Sequence, residues 1–388
     1  MGTELESDKA LGTNSNLKIV QMVRAISQVG PDIPEIARQI NAYKETVRYW
    51  YKEKLIKKGF AVSAMVNHSK LGLKRVMLLV ELNEIFESYA PTLFTAMNEL
   101  CYVVGFERTL PDGRFIVQAS VPNQFVDSFK EFISTLKDLG LFKSVEVHSF
   151  DYMRNAPMRA EFFDFGKGEW EFDWSSPPGL RGDISTPPNP PMDKFDATDL
   201  YLLKELQIDP DRSMIEISAA LKTKDNMDTN YKTLVWHFTT HVQKLIPGYR
   251  VNWMGTRYDP RTEKARHRQH TYLRVDVLVR NVRETEKMRL IGEMNRLPFL
   301  WGESVGDSYY AQFAFPTDLV PEAFEFLRSA LAPVKDGAAF FVMDQRNALN
   351  FTFSYQLFDR DQKKWKFEKE ALLSRFENLV LQIKGGLG

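Results

Sequence analysis

The side chains best placed for chemistry in this chain are cations rather than nucleophiles. Lys44, Arg48 and Lys52 recur every fourth residue, and the apolar residues between them, Val47, Tyr51 and Leu55, keep the same spacing. In a helix this sets a cationic face against an apolar one. Tyr43, Tyr49, Lys57 and Lys58 flank the cationic face. From Leu17 to Arg75 there are twelve Lys and Arg against four Asp and Glu, a net of +8 in a chain whose formal charge is zero. A local excess on that scale suits phosphate binding, against the bland alternative of a solvated helix face.

The remaining candidates are weaker. His237 and His241 stand one helical turn apart, a spacing that permits shared metal ligation. No cysteine or carboxylate joins them at ligand spacing in the sequence, so no metal is expected, nor any cofactor. His267 and His270 fall in a basic loop. There is no GxGxxG, GxxxxGK[ST] or GxSxG run. Asp164-Phe165-Gly166 is a kinase-like tripeptide without any other kinase part. The one cysteine, Cys101, sits in the apolar run Cys101-Tyr102-Val103-Val104 and reads as a buried strand thiol.

The elements that must position the cationic row lie in Pro31–Leu82. Ile33, Ile36, Ala37 and Ile40 have helical spacing, with Pro34 in the first turn, where its missing N–H costs nothing. Asn41-Ala42 breaks the pattern, Lys44–Lys58 resumes it, and Gly59 stops it. Leu17–Gln28 supplies a preceding helix. Two helices joined by so short a turn form a helix-turn-helix, whose second helix enters the major groove of double-stranded DNA.

The run LIKKGF…NHSKLGLKRVMLLVEL resembles the Lrp/AsnC (feast/famine) transcription regulators. The matching residues are Ile36-Ala37-Arg38, Thr46-Val47, Gly59 and the hinge Leu71-Gly72-Leu73 before the strand Val76–Leu82. The resemblance implies a winged helix-turn-helix followed by a ferredoxin-like domain that binds effectors and builds dimers. Its partners would be double-stranded DNA, a small-molecule effector at the ferredoxin-like domains and a second copy of the chain. One departure stands out: the interval from Val47 to Gly59 is one residue longer than the family's usual pattern.

The chain after the hinge agrees. Strands at Arg75–Leu82, Cys101–Arg108, Arg114–Val121 and Lys143–Phe150 alternate with helical stretches at Glu87–Leu100 and Gln124–Leu139, the order βαββαβ of a ferredoxin-like fold. An aromatic tail, Arg154–Trp174, predicts a hairpin around Gly166-Lys167-Gly168. Residues 175–194 hold six prolines and read as a linker. Then the pattern returns. Tyr231-Lys232-x-x-Val235 repeats Tyr43-Lys44-x-x-Val47 at an offset of 188 (231−43), and Arg346-Asn347-Ala348 repeats Arg154-Asn155-Ala156 at 192 (346−154). The expected fold class is α+β, with two winged helix-turn-helix units, each followed by a ferredoxin-like domain. The divisions are a disordered arm (1–16), a winged helix-turn-helix (17–73), a ferredoxin-like domain with its tail (74–174), the linker, a degenerate winged helix-turn-helix (195–270) and a second ferredoxin-like domain (271–388). The two ferredoxin-like units should pair within the chain as two subunits do, because each exposes a sheet face that needs cover.

The second DNA-reading helix has Lys232, Trp236 and Thr240 where the first has Lys44, Arg48 and Lys52, and residues 196–258 carry eight cations against eight anions. We expect Trp236 to be buried, since a large aromatic is costly to leave in water. Phosphate contact would then fall to the loop 257–274, through Arg261, Lys264, Arg266 and Arg268. These features favour a non-enzymatic, cytoplasmic DNA-binding regulator. No apolar run approaches a membrane span. Two other classes share the architecture: siroheme decarboxylases, for which His148 at a strand end is the residue to watch, and small-molecule sensors that bind no DNA.

Overall fold

The computed structural model describes residues 2–156, 158–177, 194–253, 257–259, 264–266 and 272–385. Three helices open the chain: α1 (Gly2–Val29), α2 (Ile33–Gln39) and α3 (Lys44–Tyr49). The arm expected over residues 1–16 belongs instead to α1 from Gly2 onward; no proline interrupts the chain before Pro31. The Asp32 carboxylate caps α2 by accepting from the Glu35 N–H at 3.1 Å. Helix α3 runs on through a π-helical turn, Trp50–Leu55, to Gly59, whose φ of 87° ends it. The π turn explains the extra residue between Val47 and Gly59, since i→i+5 bonding absorbs a one-residue insertion without ending the helix. Strand β1 (Ala61–Ala64) follows.

Next come β2 (Leu73–Leu82), α4 (Ala90–Cys101), β3 (Val103–Leu110), β4 (Phe115–Pro122), α5 (Val126–Asp138) and β5 (Phe142–Asn155). The order is the expected βαββαβ. The second half has the same order of elements. Helices α6 (Ala197–Ile208), α7 (Met214–Lys224) and α8 (Tyr231–His237) precede β6 (Tyr249–Asn252). Helix α8 also passes into a π turn, Phe238–Val242. Then follow β7 (Tyr272–Val279), α9 (Glu284–Met294), β8 (Leu300–Gly306), β9 (Tyr309–Pro316), α10 (Val320–Leu331), β10 (Ala338–Asn350) and the C-terminal α11 (Lys369–Gly385). None of the described helices is long and apolar enough to cross a membrane.

The two four-stranded sheets close into one eight-stranded antiparallel barrel, in the order β7-β9-β8-β5-β2-β4-β3-β10. The last strand of each unit pairs with the second strand of the other: β5 with β8, and β10 with β3. The sheets are therefore joined by their edges, where face-to-face cover was expected, because an unpaired edge leaves a row of N–H and C=O groups unsatisfied. Each seam has a glycine at a close approach, which Gly306 requires and Gly105 eases. A Cβ on Gly306 would meet the Ser149 carbonyl oxygen at 2.6 Å, and one on Gly105 would meet the Leu349 carbonyl oxygen at 3.1 Å. Inside the barrel, Met77, Leu79, Ile116, Phe150, Leu278, Tyr310, Phe341 and Met343 form a small separate core.

The aromatic tails cross over. The expected hairpin forms, Phe163–Asp164 pairing with Glu169–Trp170, but its rings pack on the other half: Trp170 lies 4.8 Å from Phe299 and 6.1 Å from Trp253. Reciprocally, Trp365 packs on Tyr102 and donates its indole N–H to the Leu71 carbonyl in the first hinge, at 3.0 Å. The helix-turn-helix units are also joined, β1 pairing antiparallel with β6. The strands that would form two separate wings are spent on each other.

Candidate active site at one end of the barrel

Arg75 and Arg274 hold equivalent places near the starts of β2 and β7. Two residues before each, Leu73 and Tyr272 pair with the prolines that end β4 and β9. Closing the barrel brings both guanidinium groups to one end, where they line a cavity of about 260 Å³ together with Arg154 from β5 and Arg250 from β6. Ser63–Val66, Gln207 of α6 and Arg250 form its roof, so the joined wings close it from above. Met65, Val66, His68, Met153, Arg154 and Asn155 are shared with an adjoining cleft of about 760 Å³, whose far walls are α1 (Val23, Arg24, Ser27, Gln28) and Met158–Glu161. The cleft falls within the size range of small-molecule and cofactor sites, about 300–1,000 Å³.

The charges in this cavity are not balanced. Arg274 pairs with Glu107 at 2.5 Å, and Arg154 with Glu303 at 2.5 Å, both carboxylates being almost fully buried. Arg75 and Arg250 have no carboxylate partner among the described residues. Arg75 donates to the Met153 sulfur at 3.2 Å and leaves a buried Nη1 unpaired, while Arg250 donates to the Asn155 side chain at 2.9 Å. Withdrawal from water, helped by the repulsion between neighbouring guanidiniums, pushes both down to about 10. Trp301 lies between two cations, 5.4 Å from Arg250 and 5.5 Å from Arg274, and its indole N–H is buried without a partner. Burial pushes the Asp276 carboxyl up, and it accepts from the Tyr310 hydroxyl beneath the cavity. At the junction of cavity and cleft, burial and then Arg75 push His68 down to about 3, which keeps its imidazole neutral; its Nδ1 is buried and unpaired. The result is a site with surplus positive charge, unused donors and one neutral imidazole, an arrangement that can offer charged hydrogen bonds to an anion.

The residues singled out from the sequence lie elsewhere. Tyr43 and Tyr49 are exposed (86% and 54%), as are Lys44, Arg48, Lys52 and Lys57. Arg48 is bonded to Glu45 and Lys57 to Glu53, each at 2.6 Å, so two of the cations are partly neutralised within the helix. The Lys58 side chain, Arg261 and Arg268 lie outside the described residues, as do His267 and His270. Lys264 and Arg266 are described in backbone only, in a short strand pairing with Arg257–Asp259. Trp236 is 55% exposed, which corrects the expectation of burial: its ring lies on the outer face of α8, edge-on against His237 and His241. His148 lines neither cavity; it bonds the Ser308 hydroxyl at 3.0 Å between two strands of the barrel wall. Cys101 is buried in the core, as expected.

The sequence held one signal for the site. Arg75 and Arg274 are 199 residues apart (274−75), close to the repeat offset, and a histidine precedes each by seven residues, His68 and His267. Arg154 belongs to the repeated Arg-Asn-Ala motif. Arg250 had no such mark.

No protein-family model matches the chain, and no curated protein matches it in sequence. Solved structures do. The siroheme decarboxylase NirDL aligns at a TM-score of 0.50 and 10% identity, over 95% of this chain and 99% of that one. The same enzyme with an iron-uroporphyrin III analogue aligns at 0.46 and 10%, over 97% and 100%. The protein PH0061 aligns at 0.26 and 19%, over 35% of this chain and 94% of its own. The first match shows a shared fold, the Lrp/AsnC-like pairing of winged helix-turn-helix and ferredoxin-like units. It corrects the reading of the chain as non-enzymatic, because the fold matched from end to end is one that carries an enzyme.

Two stability measurements test the charge imbalance. Replacing Arg75 or Arg250 by Met should leave the ligand-free protein as stable in urea as the parent, or up to about 1–4 kcal/mol more stable, whereas Arg274→Met strands Glu107 and should cost roughly 3–5 kcal/mol. His68 binds a proton more weakly when folded than its ordinary 6.5. Between about pH 6.5 and pH 3 the unfolded chain therefore takes up a proton that the native state refuses, and stability should fall with pH by about 1.4 kcal/mol per unit from this group. His68→Gln should remove that slope; an unchanged slope would show that His68 is not withdrawn from water.

Proposed function

We propose that the chain is an enzyme acting on a polycarboxylate tetrapyrrole, a decarboxylase of the siroheme type. The observation that carries this is the pair of arginines without carboxylate partners among the described residues, Arg75 and Arg250, in a cavity that already holds two paired ones. An unpartnered guanidinium withdrawn from water is costly unless an anion occupies the site. A tetrapyrrole bearing many carboxylates supplies several such anions on one rigid, flat frame. Arginine binds them bidentately, which fixes orientation as well as charge.

Loss of CO2 breaks one C–CO2 bond, leaves its electron pair on carbon and requires one proton to return. The reacting carboxylate should be one that no guanidinium holds, since an ion pair stabilises the charge that must be lost. His68 is the proton source in this scheme. Binding of the anion screens Arg75, which raises the affinity of His68 for a proton. His68 takes this proton from solvent as the anion binds, and the imidazolium then passes it to the carbon. Siroheme titrated into the protein should shift its absorbance, and mass spectrometry should show products lacking CO2. Arg75→Ala and Arg250→Ala should each weaken binding by about tenfold or more, from charged hydrogen bonds of about 1.5–3 kcal/mol. His68→Gln should bind and not turn over. An unperturbed siroheme spectrum at saturating protein would sink the proposal.

DNA binding is a second reading, favoured by the exposed row Tyr43, Lys44, Tyr49 and Lys52 on α3. Each lost phosphate contact lowers the salt slope of binding by about 0.9. Lys44→Ala with Lys52→Ala should therefore lower it by roughly 1–2 in a fluorescence-anisotropy titration of duplex DNA, and an unchanged slope and affinity would exclude this helix as a DNA contact.

A further inference from the structure

The second helix-turn-helix contains a cluster that the cavity does not explain. Asp199 lies in the first turn of α6 and is fully buried. One of its oxygens is 2.7 Å from His237 Nδ1, and His241 Nδ1 is 3.2 Å and 3.1 Å from the two oxygens. The second oxygen also accepts from the Asp196 N–H, which closes the capping box of α6. Among the described residues no Lys or Arg pairs with Asp199. A fully buried carboxylate without a cation is unfavourable. Here two imidazole nitrogens converge on it from a different helix.

We propose that Asp199, His237 and His241 form a binding site for a borderline divalent transition metal, with Zn2+ the fitting ion. The donor set is two imidazoles and a carboxylate, which suits Zn2+, Co2+ and Ni2+. One ligand atom from each residue lies within 4.8 Å of the others. Tetrahedral zinc with bonds of about 2.0–2.1 Å separates its ligands by about 3.3 Å; His241 already stands 3.1 Å from Asp199, and the 2.7 Å contact of His237 would lengthen by about 0.6 Å on binding. The fourth position is left for solvent. Its nearest carboxylate is Asp196, 3.9 Å from His237 and part-exposed.

The two histidines stand four residues apart, on one face of the helix, where α8 passes into its π turn at Phe238, and both meet α6. Trp236 lies edge-on to both imidazoles, at 4.9 Å and 5.2 Å. The exposed tryptophan thus covers the outer side of the cluster. At the offset of 188 that aligns the two helices, the first half has Tyr49 and Glu53 where the second has His237 and His241. The cluster belongs to the second unit alone. A metal there would staple α6, whose Gln207 reaches the roof of the arginine cavity, to α8.

The test uses the full chain without an affinity tag, stripped by a chelator. Co2+ should bind at one equivalent with visible d–d absorption of a tetrahedral site, and Zn2+ should displace it and raise Tm. Co2+ should also quench part of the tryptophan emission, a part absent in Trp236→Phe. His241→Gln, at the half-buried edge of the cluster, should keep its fold by circular dichroism and weaken Co2+ binding by at least the ten- to hundredfold that loss of even an outer-shell partner produces. Asp199→Asn should do the same if it folds. Absence of the visible band in the parent, or equal Co2+ affinity in parent and folded His241→Gln, would overturn the site in favour of a metal-free hydrogen-bonded His–Asp–His array.

Discussion

A four-stranded ferredoxin-like sheet ends in two rows of unpaired backbone groups, and in this chain each such row is paired with the other half of the molecule. Arg154 on β5 stands opposite Glu303 on β8, and Glu107 on β3 opposite Ala348 on β10. That hydrogen-bonded closure fixes how the halves face each other. It forces the equivalent arginines of β2 and β7 to converge on one end, and it leaves the interior just wide enough for eight core side chains. The glycines at the seams, Gly105 and Gly306, are where backbone meets backbone closely, at Gly306 too closely for a Cβ.

Closure has an electrostatic cost at the arginine end. Four guanidiniums meet there, and two of them, Arg154 and Arg274, are neutralised across the seams or between units by Glu303 and Glu107. The other two are not. Natural cores pair their buried charges unless the site is built for a ligand that completes them. The surplus on Arg75 and Arg250 sets this cavity apart from a balanced ion-pair network, while burial, and after it the charge of Arg75, holds His68 neutral.

The helix-turn-helix units have been drawn into the same construction. Pairing of β1 with β6 turns two wings into one short ribbon, and residues of that ribbon roof the cavity. The reading helix of the first unit is anchored across the molecule, Tyr51 donating to Asp211 at 2.7 Å. The equivalent helix of the second has Trp236 and Thr240 in place of Arg48 and Lys52, and turns His237 and His241 toward Asp199. The two units share an order of elements and differ in what their helices carry.

Much of this was legible in the sequence, because it is local or periodic. The helix-turn-helix pattern, the βαββαβ order and the recurrence of elements follow from spacing that a single chain displays, and the Leu-Gly-Leu hinge from the family resemblance. Even the extra residue between Val47 and Gly59 was visible, though only the structure gives it a form, the π turn. The site was not legible, for a physical reason. Its members come from β2, β5, β6 and β7 and the segment around His68, and what makes them a site is their mutual desolvation, which no spacing encodes. Arg75 entered the reading only as one more charge in a basic stretch, and Arg274 as the end of a basic loop. In the same way His237 and His241 lacked a carboxylate until the packing of α6 against α8 brought Asp199 from 38 residues away. The sequence determined the units and their order; closure of two sheets into one barrel decided which charges meet, because hydrogen-bonding edges, and not residue spacing, set the relation between the halves.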